Sequence, residues 1–177
     1  KEIDNGYSTW NLAMGSQELY DWLDAEPQLF HPGDLDYIHS VERISKFSNV
    51  ISINGGVQLD LMGQENAEST GTRQLSGVGG QMDFLEGAYR SKGGKGFICI
   101  NSSRVTKDGE RKSNILATIP GGSTISAPRT MIQYVATEYG IASLSGKTLR
   151  ERAEAMASIA HPDFREELMK YAQENFK

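Results

Sequence analysis

Short apolar runs rich in β-branched residues alternate with segments of helical periodicity along the whole chain, with no linker, repeat or low-complexity tract between them. That alternation is the strongest constraint on the fold. Strands that take turns with helices in one unbroken chain bury their apolar sides by layering helices against a sheet. Residues 49–54 and 57–61 alternate apolar and polar side chains with the period of two expected of strands, the second run half-buried. The Gly55-Gly56 pair between them predicts an antiparallel hairpin. Residues 65–69, 95–100, 115–119 and 131–137 read as further strands, and Lys107-Asp108-Gly109-Glu110 as a solvated turn. Helical spacing covers residues 16–25, 40–46, 81–89, 149–159 and 162–175. Ser16 stands where an N-cap belongs. Pro27 and the His31-Pro32-Gly33 turn end the first helix, and Pro162 suits a first helical turn. The expectation is one α/β domain over residues 1–177.

Composition removes several classes of function. A formal charge of -5 without a basic stripe argues against a nucleic-acid surface, while leaving room for a local patch that binds an anion. Cys99 is the only cysteine, which rules out an intrachain disulfide and a cysteine-rich metal site. Its apolar neighbours Phe97, Ile98 and Ile100 predict a buried, inert thiol. The three histidines are too scattered to give a metal signature. No apolar stretch approaches the roughly 20 residues of a membrane helix, and no signal peptide is visible, although the chain starts at Lys1 and not at Met. These features fit a reducing, aqueous compartment, the cytoplasm, and no membrane partner.

The densest chemical signal is Ser76-Gly77-Val78-Gly79-Gly80-Gln81-Met82-Asp83-Phe84. Glycines at a loop-to-helix junction let the backbone approach a ligand and present N–H groups that can hold an anion or a developing oxyanion. The same glycines could serve only a tight turn and helix–strand packing, with Asp83 a first-turn helix charge. The Gly-Lys-Ser/Thr ending of a phosphate-binding P-loop is absent. Glu138, at the end of a β-rich apolar run and followed by Tyr139-Gly140, stands where α/β proteins put functional groups. It could equally pair with a basic residue or cap the next turn. Charges at spacings of three and four through residues 150–153 and 159–168 describe a solvated helix face. His161 and His31, each before a proline, read as structural turn residues. No Gly-x-Ser-x-Gly elbow supports a serine nucleophile.

Taken in order, these segments carry a resemblance. Gly15-Ser16 with Leu19-Tyr20-Asp21, Ile51-Ser52-Ile53-Asn54, Asp60-Leu61-x-Gly63-Gln64, Gly77 to Phe84, Gly93-Gly94-Lys95, Thr137 to Ala142, Gly146-Lys147, Arg150-Glu151-Arg152-Ala153 and Ala160 to Arg165 together resemble the C-terminal domain of the acetyl-CoA hydrolase/transferase family. The resemblance spans nearly the whole chain. It implies a class I CoA-transferase type (NagB/RpiA/CoA-transferase-like) domain, a mixed sheet flanked by helices, and a ping-pong transfer of CoA between an acyl-CoA and a small carboxylate. A family glutamate serves as nucleophile, through an acyl-glutamyl anhydride and a glutamyl-CoA thioester. Gly80 matches the glycine whose N–H helps form the oxyanion hole, and Glu138 matches an active-site glutamate. Gly77, Gly79, His39 and Asn54 are expected on the substrate and CoA side. Relatives commonly carry an Asn followed by Asp-Pro or Asn-Pro near residues 37–41, where this chain has His39, Ser40 and Val41. The nucleophilic glutamate belongs to a segment upstream of Gly15-Ser16, and Glu2 does not have its context. The chain is thus expected to be part of a C-terminal domain whose enzyme has a further N-terminal half. The resemblance implies a homodimer and no metal or redox cofactor, the CoA thioester being a substrate. Hydrolysis of acyl-CoA, or a non-catalytic CoA-binding role, stays open as an alternative.

Overall fold

A computed structural model describes residues 1–176. Ahead of the main sheet come β1 (Ser8–Trp10), α1 (Gln17–Ala25), β2 (Phe30–Pro32), α2 (Leu35–Ile38) and α3 (Val41–Ile44). β1 and β2 pair parallel, and Ser16 is the N-cap of α1 as its sequence predicts, although the Ser16 side chain makes no capping bond. α3 is held by Ser40, whose Oγ accepts from the Arg43 N–H at 3.2 Å.

The centre is built from β3 (Ile51–Gly55), β4 (Gln58–Asp60), β5 (Glu65–Asn66), β6 (Ser69–Thr70), β7 (Arg73–Gln74), α4 (Gln81–Arg90) and β8 (Lys95–Cys99). There follow β9 (Ser103–Val105), β10 (Arg111–Ser113), β11 (Ile115–Leu116), β12 (Tyr134–Thr137), β13 (Gly140–Ser143), α5 (Leu149–Ser158) and α6 (Pro162–Asn175). The main sheet has the order β13-β12-β8-β3, with β3, β8 and β12 parallel and β13 antiparallel at the edge. A second sheet, β11-β4-β5, mixes one parallel and one antiparallel pairing. The architecture is the expected mixed α/β.

Alternation along the main strands decides what is buried. Gly96 and Ile98 on β8, Val135 on β12 and Ala142 on β13 face inward, joining Leu85 of α4 and Met156 and Ile159 of the C-terminal helical region in one core. Gly96 is a glycine because a Cβ there would sit 2.9 Å from Leu85, so α4 lies close on this face. The other face carries Ile51, Ile53, Phe97, Cys99, Tyr134 and Ile141, with the Phe97 and Tyr134 rings stacked at 4.9 Å. It is open: Ile53 is 69% exposed and Ile141 63%. Cys99 is therefore exposed, against the expectation of a buried thiol. Its run is apolar at every position, yet the pleat turns Ile98 inward and Cys99 outward.

The predicted hairpin between residues 49–54 and 57–61 is not formed. β3 pairs parallel with β8, whereas β4 crosses into the second sheet. The reason lies in β4 itself: Gln58, Leu59 and Asp60 are all buried, so this strand is enclosed on both faces and not half-buried. Asp60 tolerates this because its carboxylate accepts from the backbone N–H and the side-chain amide of Gln64, at 2.9 and 2.7 Å. β11 is shorter than residues 115–119 predict, and β13 is a strand the sequence reading missed. α5 opens on a reciprocal capping box between Thr148 and Glu151, and α6 begins at Pro162. Among the described residues no helix is long and apolar enough to cross a membrane.

Candidate active site

The parallel strands β3, β8 and β12 all point their C-terminal ends to one side, where open α/β sheets bind ligands. A cleft of about 450 Å³ opens there, lined by Gly56, Cys99, Asn101, Ala136, Thr137 and Glu138 together with Ile100. Glu138 and Tyr139 form the two-residue turn of the β12–β13 hairpin, closed by the Thr137–Gly140 pair. Gly140 has φ 144°, a conformation that a side chain would strain. Thr137 Oγ1 donates to Ile159 O at 2.7 Å and accepts from the Tyr139 N–H at 3.1 Å, which anchors the turn on the end of the α5 segment.

The Glu138 carboxylate accepts from the Ser102 N–H at 2.9 Å and the Ser102 hydroxyl at 2.5 Å. Ser102 is fully buried, so the carboxylate is fixed by a rigid partner. Partial burial pushes its pKa up, but the two Ser102 bonds outweigh that and hold the carboxyl below its ordinary value. Glu138 is thus ionised at the cleft, and among the described residues it forms no ion pair. Tyr139 packs edge-on against His161 at 5.5 Å, with the Arg165 guanidinium 5.0 Å from the centre of the tyrosine ring.

The glycine-rich loop approaches the same end. Gly77 and Gly79 are exposed with open space where a Cβ would be, and Gly79 has φ 59°. Gly80 is the N-cap of α4, and no side chain caps that helix. A Cβ on Gly80 would overlap the His39 imidazole, so glycine is required for the ring to lie there. His39 Nδ1 is 3.3 Å from Asp83 Oδ2, Asn11 Nδ2 is 3.3 Å from His39 Nε2, and the ring meets Phe84 edge-on at 5.2 Å. This pattern puts the proton of a neutral imidazole on Nδ1. His39 and Gly80, about 40 residues apart in sequence, are brought together in the fold.

A buried bridge links the loop to the cleft, and sequence reasoning missed it. Gln81, the first residue of α4, donates through Nε2 to Glu65 Oε2. Glu65 is fully buried, and its Oε1 has no hydrogen-bond partner among the described residues. That oxygen lies against Gly56, where a Cβ would come within 2.7 Å of it. Burial, opposed by the Gln81 bond and reinforced by the Glu68 charge, pushes the Glu65 carboxyl up to about 8, so it is a neutral acid near pH 7. The one available signal was a carboxylate within a predicted strand. Asn54, by contrast, is not brought to the cleft: its side chain donates to Ser52 Oγ at 2.8 Å along β3.

The acetyl-CoA hydrolase/transferase C-terminal domain family matches residues 15–172. The butyryl-CoA:acetate CoA-transferase of Anaerostipes caccae is 44% identical over 173 residues, covering 98% of this chain and 39% of the relative. The 4-hydroxybutyrate coenzyme A transferase of Clostridium kluyveri is 43% identical over 176 residues, covering 99% of this chain and 40% of the relative. Among solved structures, RipA from Yersinia pestis superposes with a TM-score of 0.86 at 39% identity, over 98% of this chain and 38% of that one. The 4-hydroxybutyrate CoA-transferase of Porphyromonas gingivalis gives 0.77 at 38% identity, over 96% and 38%. The chain spans about two-fifths of the length of these curated relatives.

Proposed function

The chain belongs to the acetyl-CoA hydrolase/transferase family, and from that premise we propose that it forms the C-terminal part of an enzyme moving CoA between an acyl-CoA and a small carboxylate such as acetate. The observation that carries this reading is the cleft at the strand ends, where the ionised Glu138 is fixed by Ser102 at the same end as the uncapped start of α4 at Gly80. An enzyme that uses a carboxylate nucleophile on a thioester needs donors for the tetrahedral oxyanion and a fixed anion to orient the reacting groups.

In the proposed cycle a glutamate upstream of residue 1 attacks the thioester carbonyl. The Gly80 N–H donates to the oxygen that becomes negative, and CoA leaves as thiolate, giving an acyl-glutamyl anhydride. The thiolate then attacks the glutamyl carbonyl, releasing the first carboxylate and leaving a glutamyl-CoA thioester. The acceptor carboxylate attacks that thioester to form a second anhydride and free thiolate. Attack of the thiolate on the new acyl carbonyl yields the new acyl-CoA and restores the glutamate. Glu138 orients the nucleophile or the acceptor, and His39, locked over Gly80 between Asn11 and Asp83, borders the loop that presents the N–H. Gly77 and Gly79, free of neighbours, leave the loop backbone open to CoA. A homodimer in the cytoplasm is part of this reading.

The test uses the full-length protein. Incubation with butyryl-CoA and acetate should yield acetyl-CoA. Borohydride added after acyl-CoA alone should inactivate the enzyme and mark one glutamate, because it reduces a glutamyl thioester. CoA release without acetyl-CoA formation would replace transfer by hydrolysis. No trapped species, no exchange and no CoA release would leave a binding module.

A further inference from the structure

A second cavity, also about 450 Å³, lies at the opposite end of the main sheet from Glu138. β12 runs away from it towards Glu138, and β13 returns to it; Ser145 to Thr148 then form its wall before α5 begins. Tyr89, near the C-terminal end of α4, and Arg129 with Thr130, just ahead of β12, close the other sides. Three of the lining side chains are cationic (Arg129, Lys147 and Arg152) and none is acidic, in a chain whose net charge is -5.

The three cations have no carboxylate in contact among the described residues, Asp60 and Glu151 acting on Arg152 and Lys147 only through space. Among the described residues none of them forms an ion pair. Arg152 is 8% exposed, and its guanidinium donates to three backbone carbonyls, those of Met62, Leu144 and Arg129, each at 2.8 Å. Those bonds satisfy N–H groups without neutralising the charge. Burial, and after it the like charge of Arg129, pushes the Arg152 pKa below its ordinary value, with Asp60 opposing. Asp60 is itself engaged by Gln64. Glu151, the acid nearest Lys147 along the chain, is committed to Thr148, accepting from its N–H and its hydroxyl at 2.8 Å each. The capping box occupies the Glu151 N–H, and the three cationic side chains supply the formal charge of the cavity.

We propose that this cavity is an anion site for a phosphate group, either inorganic phosphate or a phosphomonoester. Two exposed cations at the rim and one desolvated cation in the wall suit a doubly charged oxyanion, and the hydroxyls of Tyr89, Thr130 and Ser145 offer donors to its remaining oxygens. The cavity exceeds the size of phosphate alone, which leaves space for the group that carries it. The site is distinct from the cleft at Glu138 and does not depend on the transfer reaction.

The experiment is calorimetric titration of the full-length protein with inorganic phosphate at low ionic strength, repeated on K147Q and R129Q. Arg152 is left intact because its three carbonyl bonds support the fold. Lys147 makes no internal hydrogen bond or ion pair among the described residues, and a urea unfolding curve matching that of the parent would show that its replacement leaves the fold sound. One saturable site, weakened at least tenfold in each variant, is expected. No saturable binding, or binding unchanged in both variants, overturns the proposal. Competition separates the sources. Displacement of phosphate by CoA but not by dephospho-CoA would assign the site to a nucleotide phosphomonoester, and no displacement by either would assign it to free phosphate.

Discussion

Replacing Glu65 by glutamine probes the neutral acid walled in between Gln81 and Gly56. The folded protein keeps the Glu65 proton up to about pH 8, whereas the unfolded chain releases it near the ordinary value of 4.5. Between those limits the unfolded state binds fewer protons, so stability falls as pH rises, by about 1.4 kcal/mol per pH unit. The stabilising effect is fully present below the unfolded value, and the loss levels off above pH 8, where the folded acid also ionises. Over the whole window it amounts to roughly 4–5 kcal/mol. Glutamine cannot ionise, so this slope should vanish. Its carbonyl can still accept from Gln81, but its amide N–H₂ replaces the single O–H at the unpartnered Oε1 and adds one more buried unsatisfied donor, at a cost of about 1–3 kcal/mol. E65Q should therefore be less stable than the parent near pH 4.5 and more stable, by about 2–3 kcal/mol, at pH 8. Urea unfolding at unit steps from about pH 5 to pH 9 measures both curves, with a midpoint change of about 1 M at the alkaline end. Curves that cross support the argument. A difference between the two proteins that does not change with pH refutes it.

Three further outcomes follow from the site. Gly80→Ala should push a methyl group into the His39 ring, lowering stability and reducing transfer by the full-length enzyme about 10²-fold; adding H39A should restore the urea midpoint, and a G80A protein of parental stability would contradict the packing. Glu138→Gln should lower kcat about 10²-fold or more. Because Ser102 holds the Glu138 carboxyl below its ordinary value of 4.5, its contribution to folding is present above that value and lost as pH falls through the lowered one. The parent enzyme should accordingly show no Glu138-dependent limb between about pH 5 and 8 in a pH–rate profile, and one that disappears in E138Q would contradict the assignment. Cys99 should react with a thiol reagent in the native state at one equivalent per chain, and acyl-CoA bound in the cleft should slow that reaction; a thiol that reacts only in urea would place it in the core.

Much of the fold was legible because local signals agreed with tertiary context. Ser16, Ser40 and Pro162 mark helix starts, and the run 95–100 marks the central strand, since caps and β-branched runs act over a few residues. What escaped depends on which partner a strand finds. Gly55-Gly56 has the chemistry of a hairpin, yet β4 is drawn into the second sheet by burial on both faces. The inward direction of Ile98 and the outward direction of Cys99 follow from the pleat and from where α4 packs, which a uniformly apolar run does not encode. In the site, Gly80 and Glu138 stood out through their contexts, whereas Glu65 did not, because its character comes from Gln81 and Gly56, distant in sequence. Asn11 and Ser102 escaped for the same reason: each acts by touching a residue about 30 positions away or more.

The open face of the main sheet affects how the isolated chain must be handled. Ile53, Phe97, Tyr134 and Ile141 form an apolar surface on the strands that hold the cleft, and contiguous surfaces of this kind drive association. Such contacts weaken on cooling and strengthen with excluded salts such as sulfate. Solutions of the isolated chain should scatter less light in the cold than at room temperature, and ammonium sulfate should precipitate it early. Purification in the cold, at low salt and modest concentration, keeps that surface apart from its copies.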